Sequence, residues 1–315
     1  MTKVIVTELE YGKAVPIFSN SGDIECIPAP AAEQQLAAAI RDAGARFAIV
    51  GTTKYRRELY DAIPPGGVIA RFGVGHDGLD KAAARARGIL CCNTPGVLDD
   101  SVAECAIGLM LVVGRRLTGA AADNKLGKWT SHVGIEFSGK TLAIIGCGNI
   151  GSKVARMARF GLGMRTIGVA RRQPRDPAPF DKVVSDFAEA ASVADVVSIH
   201  LPSLPETANY INHDRLSVMK PSAILINTAR GDILDEDALY DAVGSHTIAA
   251  AALDVFKHEP YHPTDPEKDL RTLPAITMTP HIASSTQEAC NRMAAAALKN
   301  IRFALQARTS EMNLV

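Results

Sequence analysis

A strand, a glycine turn and a helix-forming segment follow one another without interruption from Leu142 to Arg159, and this run restricts the fold of the chain more than any other. Leu142-Ala-Ile-Ile145 is continuously apolar, as a strand covered on both faces of a parallel sheet must be. Gly146-Cys-Gly-Asn-Ile-Gly151 comes next, and Ser152-Lys-Val-Ala-Arg-Met-Ala-Arg159 has the composition of a helix. Glycines spaced in this way occur in ordinary turns. Between a strand and a helix, however, they are the fingerprint of a turn that cradles a dinucleotide. Gly146 makes the tight turn, Gly148 lets the backbone approach a pyrophosphate, and Gly151 lets helix and strand pack closely. Asn149 and Ile150 lie between them and count among the expected cofactor contacts.

The same alternation of short apolar strands and Ala-rich helical stretches runs through both halves. Strands are expected at Val4–Val6, Phe47–Val50, Val68–Ala70, Leu142–Ile145, Thr166–Val169, Val196–His200, Ala223–Asn227 and Ala249–Leu253. The fold class is therefore α/β, with two domains resembling the Rossmann and flavodoxin types and parallel sheets; if the chain is an enzyme, its active site is expected in the cleft between them. With 315 residues, more than one core is expected. A capping-box pattern at Ser101-Val-Ala-Glu104 opens a helix apolar on nearly every side, expected to be buried all round as an interdomain crossover that also packs on a second subunit. A second such pattern, Ser285-Thr-Gln-Glu288, opens the last helix. The expected domains are 1–100 with 286–315, binding substrate, and 101–285, binding NAD(P).

An NAD-selective site places an Asp or Glu about twenty residues beyond the glycines, on the ribose hydroxyls. Here the strand ends at Ala170, followed by Arg171 and Arg172. Two guanidinium groups suit a 2′-phosphate, so NADP(H) is preferred and NAD(H) remains possible.

Lys+Arg and Asp+Glu balance at 34 each, which provides no net field for nucleic acid or an anionic membrane. The N-terminus meets Glu8 before any apolar run of signal-peptide length, and a cytoplasmic protein is expected. Cys26, Cys91, Cys92, Cys105, Cys147 and Cys290 lack metal-ligand or easy disulfide spacing, so reduced thiols and no metal are expected.

Further motifs lie on either side of the turn: Phe72-Gly-Val-Gly-His-Asp-Gly-Leu-Asp80, Gly88-Ile-Leu-Cys-Cys-Asn-Thr-Pro-Gly96, His200-Leu-Pro-Ser-Leu-Pro-Glu-Thr207, Asn227-Thr-Ala-Arg-Gly231, Leu253-Asp-Val-Phe256 with Glu259-Pro260, and Thr279-Pro-His-Ile-Ala283. In these residues the chain resembles the D-isomer-specific 2-hydroxyacid dehydrogenases, from about Gly66 to the last helix; the first sixty-odd residues match poorly. The resemblance implies hydride transfer between NAD(P)(H) and a small 2-oxo or 2-hydroxy acid. It assigns the substrate carboxylate to Arg230, acid–base chemistry to His281, and the second imidazole nitrogen to Glu259. Val74 and Gly75 would hold the carboxylate through backbone amides, and Asp254 would bond the nicotinamide carboxamide. Thr228 and Ala229 would pass under the cofactor; His200, Leu201, Pro202, Thr207 and Ala283 would line it, with Arg230 and His281 also beside it.

Two substrate cues conflict. Trp129, the single tryptophan, and Arg172-Gln-Pro174 resemble the NADPH-dependent glyoxylate and hydroxypyruvate reductases, in which such a tryptophan reaches the partner subunit's pocket. Arg71 resembles the arginine that meets the substrate phosphate in phosphoglycerate dehydrogenases. The missing ribose acid favours the reductase. A homodimer through the 101–130 segment is expected, and a nucleotide-sensing corepressor is the non-enzymatic alternative.

Overall fold

The computed structural model describes residues 1–315. Two compact units result, one built from Met1–Leu98 with Ser284–Val315 and the other from Asp99–Ala283. In the first, strands β1 (Thr2–Thr7), β2 (Ile24–Ala29), β3 (Phe47–Val50), β4 (Val68–Arg71) and β5 (Leu90–Cys92) form a sheet of order β2-β1-β3-β4-β5. In the second, β6 (Thr141–Ile145), β7 (Arg165–Val169), β8 (Lys182–Val184), β9 (Val196–Ile199), β10 (Ile224–Asn227), β11 (Ala250–Leu253) and β12 (Ile276–Met278) run in the order β12-β11-β10-β9-β6-β7-β8. Every strand pair is parallel.

Strand side chains alternate between faces, so a doubly covered strand needs apolar residues at both parities. β6 shows this directly. Ala143 and Ile145 join one core with Val197, Ile199 and Leu225, while Leu142 and Ile144 join another with Val196, Ile224 and the helix Asp99–Gly114. Each fully buried Leu or Ile of this kind contributes about 1.5–3 kcal/mol. The order reverses between β6 and β9, which opens a crevice at their carboxyl ends, where open α/β sheets bind ligands.

Several local expectations change. The helix expected from Ser101 begins at Asp99, because the Ser101 hydroxyl does not cap it and donates to the Ala283 carbonyl at 2.7 Å. It is not buried all round within one chain: Val102, Ala106, Leu109, Met110 and Val113 are covered, whereas Ile107, Leu111 and Val112 stay half-exposed. In the last helix, Gln287–Leu305, the capping residue is Thr286, whose hydroxyl accepts from the Ala289 amide, and not Ser285. The chain therefore crosses between units slightly upstream of both expected boundaries. β2, β8 and β12 have no clear signal in the sequence: β2 carries Glu25 and Pro28, which an edge strand tolerates, and the other two have three residues each.

Candidate active site

The glycine turn has the geometry its spacing demands. Gly146 has φ +103°, and a Cβ there would lie 2.6 Å from the His200 carbonyl oxygen, so only glycine lets β6 turn beside the end of β9. A Cβ on Gly151 would lie 2.1 Å from the Gly146 oxygen, which packs the helix Asn149–Arg156 against the turn. At Gly148 the same atom would meet nothing within 4 Å. The space a pyrophosphate needs is open at the helix N-terminus. His200 is half-buried there, hydrogen-bonded with Ser198 at 2.8 Å, and burial pushes its imidazole down to about 4, so it is neutral.

Beyond β7, Ala170 is followed by Arg171 and Arg172, both exposed. The next acid along the chain, Asp176, is paired with Arg156 at 2.5 Å, and Arg171 has only a loose contact with Glu206 at 3.8 Å. No carboxylate adjoins the strand end on the chain itself.

The three residues expected to carry the chemistry sit on loops after β10, β11 and β12. Asn227, fully buried, shapes the first: its side-chain oxygen accepts from the Ala229 amide and its nitrogen donates to the Arg230 carbonyl, both at 3.0 Å. Arg230 is half-buried and donates from Nη1 to the Ala229 carbonyl at 2.7 Å. Gly231 closes this motif, and only the folded chain shows why. A Cβ there would lie 1.9 Å from the Phe256 carbonyl carbon, so glycine alone lets the Arg230 turn lie against the loop that bears Glu259.

Glu259 bridges two loops. One oxygen accepts from the Phe256 amide at 3.0 Å, and the other pairs with His281 Nδ1 at 2.7 Å. Burial raises the Glu259 carboxyl, but the bond to His281, that ring's charge, the Phe256 amide and the Arg230 guanidinium outweigh it and hold the group below the usual carboxylate range. A depressed folded-state pKa stabilises the fold fully above the ordinary value of 4.5 and loses that effect as pH falls through the folded value. The wild type is thus expected to lose more Tm than Glu259→Gln between roughly pH 6 and pH 3. Parallel melting curves for the two proteins would show that the carboxylate is not held ionised.

His281 has φ +53°, a left-handed conformation that a non-glycine residue keeps only when its surroundings impose it. Asp254 imposes it. This fully buried carboxylate accepts from the Thr279 hydroxyl at 2.6 Å and from the Ile282 and Ala283 amides at 2.8 Å each, while its own carbonyl takes the His281 amide at 2.9 Å. Asp254, expected beside a nicotinamide carboxamide, thus also has a role within the protein: enclosed, it builds the His281 loop. Thr207, expected to line the cofactor, is likewise bonded within the chain. It is buried, donating to the Pro202 carbonyl at 2.7 Å and accepting from the Leu204 amide at 2.8 Å, so it shapes the loop after β9 from within. Leu201 and Ala229 are half-buried, Pro202 is exposed and Ala283 is buried. The Thr228 hydroxyl is buried with no partner in the chain. No group of three or more His, Cys, Asp or Glu side chains is placed to hold a metal.

In the first unit, Val74 and Gly75 are half-buried in the loop after β4. Arg71 is buried, its guanidinium donating to the Phe72 carbonyl and lying 3.0 Å from where a Cβ on Gly73 would be. Trp129 is 94% exposed.

Comparison with known proteins agrees with this architecture. A family model described as D-isomer specific 2-hydroxyacid dehydrogenase, NAD binding domain, matches residues 107–283. A glyoxylate reductase of Thermococcus litoralis is 36% identical over 95% of this chain and 92% of its own length. A D-3-phosphoglycerate dehydrogenase of Methanocaldococcus jannaschii is also 36% identical over 99% of this chain, which spans only 59% of that relative. Among solved structures, the NADPH-dependent glyoxylate/hydroxypyruvate reductase of Sinorhizobium meliloti, in complex with citrate, superposes with a TM-score of 0.85 at 29% identity, covering 100% of this chain and 98% of that one. The likeness extends through the first sixty-odd residues, where motifs alone show little.

Proposed function

Because the chain belongs to the D-isomer-specific 2-hydroxyacid dehydrogenases, oxidoreductases acting on a CH–OH group, we propose that it is an NADP(H)-preferring reductase of a small 2-oxo acid of the glyoxylate or hydroxypyruvate kind. The end of β7 carries the cofactor preference: two exposed arginines stand where a ribose-binding acid would otherwise select NAD. The open space at Gly148 and the unpartnered Thr228 hydroxyl fit a dinucleotide across the carboxyl ends of β6, β9 and β10. When bound, the nicotinamide supplies hydride to the substrate carbonyl carbon, or accepts it in the reverse direction.

The chain's own residues handle charge and protons. With Nδ1 on Glu259, His281 keeps Nε2 for the substrate oxygen. The imidazolium gives its Nε2 proton as the alcohol forms; the neutral ring, holding its proton at Nδ1, takes it back in oxidation. Arg230 holds the substrate carboxylate and steadies the carbonyl through its planar fork, and the Val74 and Gly75 amides are donors suited to a carboxylate. Asp254 acts through the loop it builds.

The missing ribose acid, which fits a reductive NADPH enzyme, favours the non-phosphorylated substrate over the phosphoglycerate reading that Arg71 suggests. A homodimer is part of the reading. The helix Leu117–Lys125 buries no residue, Leu126, Trp129 and Val133 are exposed, and Ile107, Leu111 and Val112 on Asp99–Gly114 are half-exposed, which leaves apolar surface for an interface. The six unpaired thiols suit a reducing compartment, the cytoplasm.

Initial rates on glyoxylate, hydroxypyruvate and phosphohydroxypyruvate, each with NADPH and NADH, test the proposal. The double variant Arg171→Ala, Arg172→Ala is expected to raise KM for NADPH by about tenfold or more while leaving KM for NADH within roughly twofold. Equal effects on both would remove the NADP(H) preference. Preference for phosphohydroxypyruvate would move the substrate to the phosphoglycerate side, and no 2-oxo-acid-dependent oxidation of either cofactor would favour a sensing role.

A further inference from the structure

The loop after β4 is held by its carbonyls, and that fixes where its amides face. The Gly73 carbonyl accepts from the Thr94 amide at 3.0 Å, and the Val74 carbonyl accepts from the Asn93 side-chain nitrogen at 2.7 Å. The Gly73 amide is tied to the same strand end, donating to the Thr94 hydroxyl at 3.0 Å. In a trans peptide the N–H points opposite to the C=O of the same plane. Anchoring the carbonyls of residues 73 and 74 beyond β5 therefore turns the Val74 and Gly75 N–H groups away from that strand end. Two successive amides turned away from their anchor form a concavity suited to a carboxylate.

Asn93 is itself held. Its carbonyl accepts from Asn300 Nδ2 at 2.9 Å, and its amide donates to the Asn313 carbonyl at 3.0 Å. Asn300 closes the set by accepting from the Asn313 amide at 3.1 Å. It is 1% exposed, among Ala297, Leu298 and Ile301 on the apolar face of the last helix. A polar amide enclosed there costs free energy unless both its ends are bonded, and both are. Nothing in the packing of that face calls for an asparagine. The link to Asn93 accounts for it.

We propose that Asn93 is a positioning residue for the substrate, aiming the Val74 and Gly75 amides at its carboxylate, and that Asn300 holds Asn93 in place. The inference rests on the reading of the chain as a 2-oxo-acid reductase and on the proposed role of those two amides. It adds the residues that set substrate affinity without touching the substrate.

Asn93→Asp keeps the shape and replaces the donor to Val74 with an oxygen that repels its carbonyl. It is expected to raise KM for glyoxylate about tenfold, with kcat changed less than about threefold and the NADPH dissociation constant, read by nucleotide fluorescence, unchanged. Asn300→Ala, which removes the outer link, is expected to raise the same KM by about threefold and carries the test if Asn93→Asp does not fold. A lowered Tm with wild-type KM in the folded variant would make these residues merely structural and overturn the proposal. A wild-type chain inactive on every 2-oxo acid would overturn the functional reading first, before any variant is compared.

Discussion

Replacing His281 by alanine or asparagine is expected to lower kcat for 2-oxo-acid reduction by about a thousandfold, the range lost when a positioned general acid is removed. NADPH affinity is expected to stay within about twofold of wild type. The separation follows from how the residue is held. The backbone at 281 is set by Asp254, through the Thr279 hydroxyl and the Ile282 and Ala283 amides, and not by the imidazole. The ring contributes Nε2, and Glu259 occupies the other nitrogen. Asparagine is the cleaner variant, because it tolerates φ near +53° better than alanine. Stopped-flow reduction with nucleotide titration measures both quantities. Turnover within tenfold of wild type in the asparagine variant would mean that the proton comes from elsewhere.

Arg230 carries the second large effect. Arg230→Ala is expected to reduce kcat/KM for glyoxylate by about a thousandfold, and Arg230→Lys by about a hundredfold. Lysine keeps the charge but presents a point cation where a planar fork would meet carboxylate and carbonyl together. The loop should survive either change, since Asn227 and Gly231 set its backbone. Unchanged NADPH binding in both variants checks that. If lysine restored full kcat/KM, charge alone would suffice and the fork would have no part.

Sequence reveals these residues more readily than it reveals their supports. The glycines at 146, 148 and 151 announce their roles because, between a strand and a helix, three side chains missing at that spacing mark close backbone approach. Arg230, Glu259 and His281 are legible through motif order, and the structure places Glu259 against His281 and within the field of Arg230. Asp254 resembles a cofactor contact in sequence, and an acid after a strand end says nothing of which way it faces; the structure adds that, enclosed, it organises the His281 loop. Thr207 is a second such residue, its hydroxyl satisfied by its own loop. Asn93 and Asn227 stand inside quoted motifs and Asn300 in none, but the sequence shows no bracing role for any of them, since a buried asparagine looks like a turn residue until its partners are known.

Local composition alone determined that this chain makes parallel sheets with a dinucleotide turn: apolar strands at both parities, and three glycines spaced between a strand and a helix, are properties of neighbouring residues. Only the tertiary structure decided which polar groups are reagents and which are braces. Hydrogen bonds such as Asp254 to Ala283, Asn300 to Asn93 and Glu259 to His281 join residues far apart in the chain, and whether a carboxylate or amide is spent on the fold or left for a ligand depends on those distant partners.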